Sequence, residues 1–133
     1  MKRDAALVAA AARARLQAYA PYSQFRVGAA VRTSGGAVYT GANIENASYP
    51  LSQCAERVAM HKAVSDGHRR LDTVVVVADG TKPAMPCGAC RQVMAEFGVR
   101  RVIVATPSGR TRVRTLRQLL AEPFLPERLP RKR

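Results

Sequence analysis

The sequence predicts an α/β protein: a three-layer α/β/α sandwich around a mixed five-stranded sheet. Two observations carry that expectation. Strand-like segments 27–33 and 37–42 flank Ser34-Gly35-Gly36, a hairpin signal. Further on, Val74-Val75-Val76-Val77 and Val102-Ile103-Val104 are unbroken β-branched runs, as in strands buried on both faces, and a helical segment separates them. A hairpin followed by strands alternating with helices gives a sheet of mixed direction with helices on its faces.

The elements follow in order. Residues 4–18 form an alanine-rich helix with Asp4 as its cap and Leu7, Ala11, Ala14 and Leu16 as a loose apolar face. Pro21 ends it, and Ala20-Pro21-Tyr22-Ser23 is a turn. After the hairpin, residues 54–66 read as a second helix, with Ser52 as a possible cap and Gly67 in the stop position. A strand at 73–78 precedes Pro86 and a helix over 87–97 that Gly98 terminates. The strand at 102–104, a partner at 110–114 and a short helix at 116–120 complete the order. With 133 residues and no composition break, residues 1–133 are expected to form one domain, of which 128–133 is a basic tail.

Composition narrows the function classes. The chain is 47% hydrophobic and 23% charged, which excludes collagen-like or disordered character. No apolar run reaches the roughly 18 residues of a membrane span, and Arg13 and Arg15 interrupt the N-terminal alanines that a signal peptide would keep apolar. A cytoplasmic location is therefore expected. The net charge is +13, from 22 basic and 9 acidic side chains. Such a surface attracts anions, nucleic acid among them, but aromatics are only 5% of the chain and offer few base-stacking platforms.

Three cysteines in a reducing compartment point to metal or catalytic use rather than a disulfide scaffold. They fall in Cys54-Ala55-Glu56 and Pro86-Cys87-Gly88-Ala89-Cys90. Both pieces start predicted helices, where free N–H groups and the positive end of the dipole favour thiolate. Three thiolates suit tetrahedral zinc and leave a fourth position to water, the arrangement of catalytic rather than structural sites. His61 lies two helical turns beyond Cys54, about 10 Å away along the axis, too far to join the same ion. Glu56, on the first turn, is placed to move a proton between that water and a substrate nitrogen.

The pattern Cys-Ala-Glu followed by Pro-Cys-Gly-Ala-Cys resembles the zinc-deaminase signature, in which cysteine can replace the first histidine. The segments Tyr22-Ser23-Gln24-Phe25-Arg26-Val27-Gly28-Ala29-Ala30, Asn43-Ile44-Glu45-Asn46-Ala47-Ser48-Tyr49 and Cys87-Gly88-Ala89-Cys90-Arg91-Gln92-Val93 resemble cytidine deaminases of the small homotetrameric, three-cysteine type. That resemblance implies one zinc ion per subunit on Cys54, Cys87 and Cys90, and hydrolysis of cytidine and deoxycytidine to uridine and deoxyuridine in pyrimidine salvage. It further implies that Phe25 packs beside the nucleoside, that Asn43 and Glu45 bind ribose hydroxyls, and that the Ala55 backbone holds the base. Glu56 would bind the base and shuttle protons. Ala47, Tyr49 and Phe124 would line sites at subunit boundaries.

Arg57 and Arg91 each directly follow a residue of the site, and both are expected to donate to thiolate sulfurs and offset their charge. Met85 and Pro50 depart from the residues common in relatives. Two other readings compete: a deaminase of a cytosine nucleoside antibiotic such as blasticidin S, and a basic RNA-binding module with structural zinc.

Overall fold

The computed structural model describes residues 2–130. Helix α1 spans Lys2–Arg15, and strands β1 (Val27–Thr33) and β2 (Val38–Ala42) form the hairpin. Helix α2 (Ala55–Ser65), strand β3 (Leu71–Ala78), helix α3 (Gly88–Glu96), strands β4 (Arg101–Ala105) and β5 (Thr111–Thr115), and the single turn α4 (Leu116–Leu119) follow. The sheet order is β2-β1-β3-β4-β5. Only β3 and β4 run parallel, joined through α3, and every other pair is antiparallel. The predicted mixed five-stranded sandwich is the fold observed.

Alternation along the strands divides the core between the two faces. On one face α1 packs Leu7 and Ala11 over Ala30, Val75, Val77, Ile103 and Ala105. On the other, Ala55, Ala59, Met60 and Ala63 of α2, with Cys90 and Met94 of α3, cover Ala29, Val31, Val74, Val76, Val102 and Val104. The central strand β3 is buried along both faces, as its valine run requires.

Two glycines set how closely the layers approach. A Cβ on Gly28 would sit 2.0 Å from the Ala11 carbonyl oxygen, and one on Gly41 would sit 2.6 Å from the Ala59 backbone nitrogen. Bare backbone at these positions lets α1 and α2 lie directly on the hairpin. The seating of α2 against Gly41 fixes where its first turn, and so the site, is presented.

Several local expectations are corrected. Asp4 does not cap α1, which begins at Lys2; its carboxylate instead accepts from Arg101 (2.8 Å) and from Arg32 (3.4 Å). Ser52 does not cap α2, whose N-cap is Cys54; the Ser52 hydroxyl accepts from the Asn46 backbone N–H at 3.0 Å. Helix α1 stops at Arg15 rather than 18, and β3 begins two residues earlier than expected, at Leu71. Of the basic tail, Arg128 closes a 3-10 turn, and residues 131–133 lie outside the described residues.

Candidate active site

The two helices on the same face of the sheet bring their first turns together. Cys54 is the N-cap of α2, Cys87 is the N-cap of α3, and Cys90 lies on the first turn of α3. Their sulfurs lie within 4.8 Å of one another, and Cys54 Sγ and Cys87 Sγ are 3.8 Å apart. A tetrahedron with metal–sulfur bonds of 2.3 Å has an edge of about 3.8 Å, so this spacing fits a zinc ion. Among the described residues the three cysteines form the one group of this kind; exposed His61 lies elsewhere, on the outer side of α2 beside Lys62.

The thiols divide the proton between them. Hydrogen bonding from Cys90, helped by Arg57 and opposed by burial, brings the Cys54 thiol down to about 5. The same bond to Cys54, together with burial, pushes the Cys90 thiol up. The thiolate is thus favoured at Cys54, at the positive ends of two helices.

Glu56 projects from the first turn of α2 beside these sulfurs and is only 5% exposed. Burial, with the Cys54 charge adding to it, raises its carboxyl to about 7. A group balanced near neutrality can both take and give a proton at physiological pH, as general acid–base chemistry requires.

A cavity of about 550 Å³ opens over this corner, walled by Cys54, Ala55, Glu56 and Arg57 from α2 and by Val27, Val76 and Ala78 from the sheet. Phe25, Asn43, Glu45 and Tyr49 also line it. Asn43 bridges the entry to β1: its Oδ1 accepts from the Val27 N–H at 2.8 Å, and its Nδ2 donates to the Phe25 carbonyl at 2.8 Å. Glu45 Oε1 accepts from the Tyr22 and Ser23 N–H groups at 3.0 and 3.1 Å, and Oε2 accepts from the Ser23 hydroxyl. The Ser23 hydroxyl above all, with those N–H groups, holds the Glu45 carboxyl below its usual range. Both side chains are thus fixed at the cavity rim, and Oε2 of Glu45, which accepts one bond where Oε1 accepts two, keeps lone-pair capacity for a ligand hydroxyl.

The remaining expected residues separate. Arg57 Nη2 donates to Cys54 Sγ at 3.3 Å. Arg91 does not reach a sulfur: its Nε donates to the Pro86 carbonyl at 2.8 Å and its Nη1 to the Leu119 carbonyl at 2.9 Å. The loop carbonyls outcompete the thiols for this guanidinium, which ties the metal loop to α4. Tyr49 is 69% exposed at the cavity edge, its ring 5.9 Å edge-on from Tyr22. Exposed Ala47 and Phe124, which is 60% exposed, stand outside the cavity of their own chain. Ser23, Val76, Ala78 and Met85 are wall residues that sequence reading did not assign to the site. The alternation along β3 could have singled out Val76 and Ala78 once the face carrying α2 was known.

Comparisons with known proteins agree with this geometry. Residues 1–106 match the family model described as the cytidine and deoxycytidylate deaminase zinc-binding region. A cytidine deaminase of Sporosarcina psychrophila is 48% identical over 125 residues, 92% of each chain. The crystal structure of cytidine deaminase from Burkholderia pseudomallei superposes with a TM-score of 0.86 at 46% identity, over 90% of this chain and 98% of that one. A blasticidin-S deaminase of Bacillus cereus is more distant, 27% identical over 106 residues, 74% of this chain and 76% of that one.

Proposed function

The chain belongs to the cytidine and deoxycytidylate deaminase zinc-binding family, and on that premise we propose that its cavity hydrolyses cytidine and deoxycytidine to uridine and deoxyuridine with release of ammonia. The observation that carries this reading is the buried Glu56 carboxyl, balanced near neutrality beside three converging thiols at the floor of a nucleoside-sized cavity. Cys54, Cys87 and Cys90 would hold the zinc ion, which when bound would supply the Lewis acidity that brings the pKa of water to about 7.

The residues of the chain do the rest. Phe25 and Val27 give the pyrimidine an apolar wall, and Asn43 and Glu45 meet the sugar hydroxyls from the rim. The Ala55 backbone, at the start of α2, faces the base. Glu56 takes a proton from the attacking water and delivers it to N3 as C4 becomes tetrahedral. It then takes the proton of the new C4 hydroxyl and passes it to the amino group, so that the C4–N bond breaks, ammonia leaves and C4=O forms. Arg57 stabilises the thiolate charge through Cys54.

The assembly we propose is a homotetramer. Phe25 and Tyr49 at the cavity, Tyr22 beside Tyr49, and Ile44 and Leu51 near them in sequence all expose apolar surface, and Phe124 is exposed in the C-terminal segment. Exposed apolar surface gathered around a site is what an incomplete interface leaves. Ala47, Tyr49 and Phe124 then complete the sites of neighbouring subunits. No described helix is long and apolar enough to cross a membrane. Three free cysteines suit the reducing cytoplasm, where the enzyme serves pyrimidine salvage.

Ultraviolet absorbance of cytidine incubated with the zinc-loaded protein and, in parallel, with Glu56→Gln tests the reaction. Conversion by the wild type alone is expected. Failure of the folded, zinc-loaded wild type would remove cytidine, and turnover of blasticidin S in the same assay would then identify the antibiotic deaminase instead.

A further inference from the structure

The loop from β3 to α3 has a cavity on each side, and Met85 lines both. The first is the deamination cavity. The second, of about 620 Å³, is walled by Lys82, Pro83, Met85, Arg110, Thr111 and Arg112. Three of these side chains are cations and none is a carboxylate. Among the described residues, ion pairs join Arg15, Arg26, Arg32 and Arg101 to Asp4, Asp72 and Asp79, so Lys82, Arg110 and Arg112 enter none of them. Like charges gathered without counter-charge repel one another, and an anion between them relieves that repulsion.

The arrangement is built rather than incidental. Arg110 is anchored by its backbone N–H, which donates to the buried Thr106 hydroxyl at 3.0 Å, and its Nη1 donates to the Thr81 carbonyl at 3.4 Å. That second bond joins the β4–β5 turn to the loop carrying Lys82 and leaves other guanidinium N–H groups unused. Arg112 and Arg114 pair with Val104 and Val102, so both lie on one face of β5, about 7 Å apart along the edge strand. A row of cations therefore leads away from the cleft.

We propose that the cleft between Lys82, Arg110 and Arg112 is a phosphate-binding subsite next to the deamination cavity, taking the phosphate of a pyrimidine nucleotide, free or within a single strand. Guanidinium groups match phosphate oxygens through paired N–H donors, and Lys82 adds a point charge. The choice of a pyrimidine rests on the deaminase reading; the phosphate contacts do not.

The test measures binding without turnover. Fluorescence anisotropy of a labelled oligocytidylate would be followed across a salt series with wild type, Lys82→Gln/Arg112→Gln and Arg3→Gln/Arg13→Gln. The last removes the same charge from exposed positions on α1. The cleft variant is expected to bind about tenfold more weakly and to lose about 1.4 from the salt slope, with cytidine kcat/KM unchanged. The α1 variant should stay near wild type. Displacement of the label by inorganic phosphate, or by CMP where cytidine fails, identifies free phosphate as sufficient, and displacement by unlabelled strand alone identifies the backbone of a strand. Absence of wild-type binding at low salt, or equal losses in the two double variants, overturns the subsite. Oligocytidylate binding by a protein that leaves cytidine intact would fault the deaminase reading and leave the subsite standing.

Discussion

Arg57 Nη2 lies 3.3 Å from Cys54 Sγ, a guanidinium set against a thiol of the three-cysteine group, three residues before it at the start of the same helix. The positive charge helps hold Cys54 as thiolate, the form that binds metal. Arg57→Ala should raise the pH at which zinc is lost and weaken zinc retention about tenfold or more. Chelator competition at several pH values measures both. Retention indistinguishable from wild type at every pH would remove the role.

Glu56→Gln keeps the shape of the buried side chain and removes its proton transfer. Turnover of cytidine should fall by about 10² to 10⁴ while zinc content stays stoichiometric. Burial raises the folded-state carboxyl to about 7, above its unfolded value, so its ionisation weakens the apo fold as pH rises through that interval. The variant should therefore unfold at no lower urea concentration than wild type at pH 8. A zinc-free or destabilised variant would show that Glu56 is structural.

Gly41→Ala places a methyl group 2.6 Å from the Ala59 backbone nitrogen and 2.8 Å from the Ala55 carbonyl oxygen. Neither atom belongs to a flexible side chain, so α2 must shift, at a cost of about 1–3 kcal/mol. Since α2 carries Cys54 and Glu56, kcat should fall along with the urea midpoint. Gly28→Ala presses on α1, away from the site, and should lower the midpoint while sparing kcat in the molecules that remain folded.

Hydrogen bonding from Arg101, with help from Arg32 and against the effect of burial, holds the Asp4 carboxyl below the usual carboxylate range. A depressed folded-state pKa gives stability that is complete above the unfolded value and is lost as pH falls through the folded one. Asp4→Asn should cost about 1 kcal/mol at pH 7. The difference from wild type should shrink below pH of about 4. Urea unfolding at pH 7 and pH 3 decides it, and a constant gap would place the effect elsewhere.

Much of this was readable in the chain because the signals were local. Ser34-Gly35-Gly36 marked the hairpin, the valine runs marked β3 and β4, and Gly67, Pro86 and Gly98 bounded the helices at whose starts Cys54, Cys87 and Cys90 fall. What stayed hidden depended on distant partners. Asp4 has the composition of a cap, yet Arg101, 97 residues away, decides its position. Arg91 sits where a sulfur partner was reasonable, but the Leu119 carbonyl, supplied by a C-terminal turn, takes its guanidinium. Cavity walls such as Val76 and Met85 come together only once the sheet order and the loop course are fixed.

Arg91 and Gln92 stand side by side on α3, one holding the Leu119 carbonyl at 2.9 Å and the other the Phe124 carbonyl at 2.6 Å. The helix that carries Cys90 thereby acts as a tether for the C-terminal segment. A disturbance at the metal loop is expected to reach the aromatic that projects from that segment, and a pull on the segment to reach the loop. In the proposed homotetramer, loss of zinc should then loosen subunit association, and dilution should loosen the hold on zinc, because one short helix serves as the lever for both.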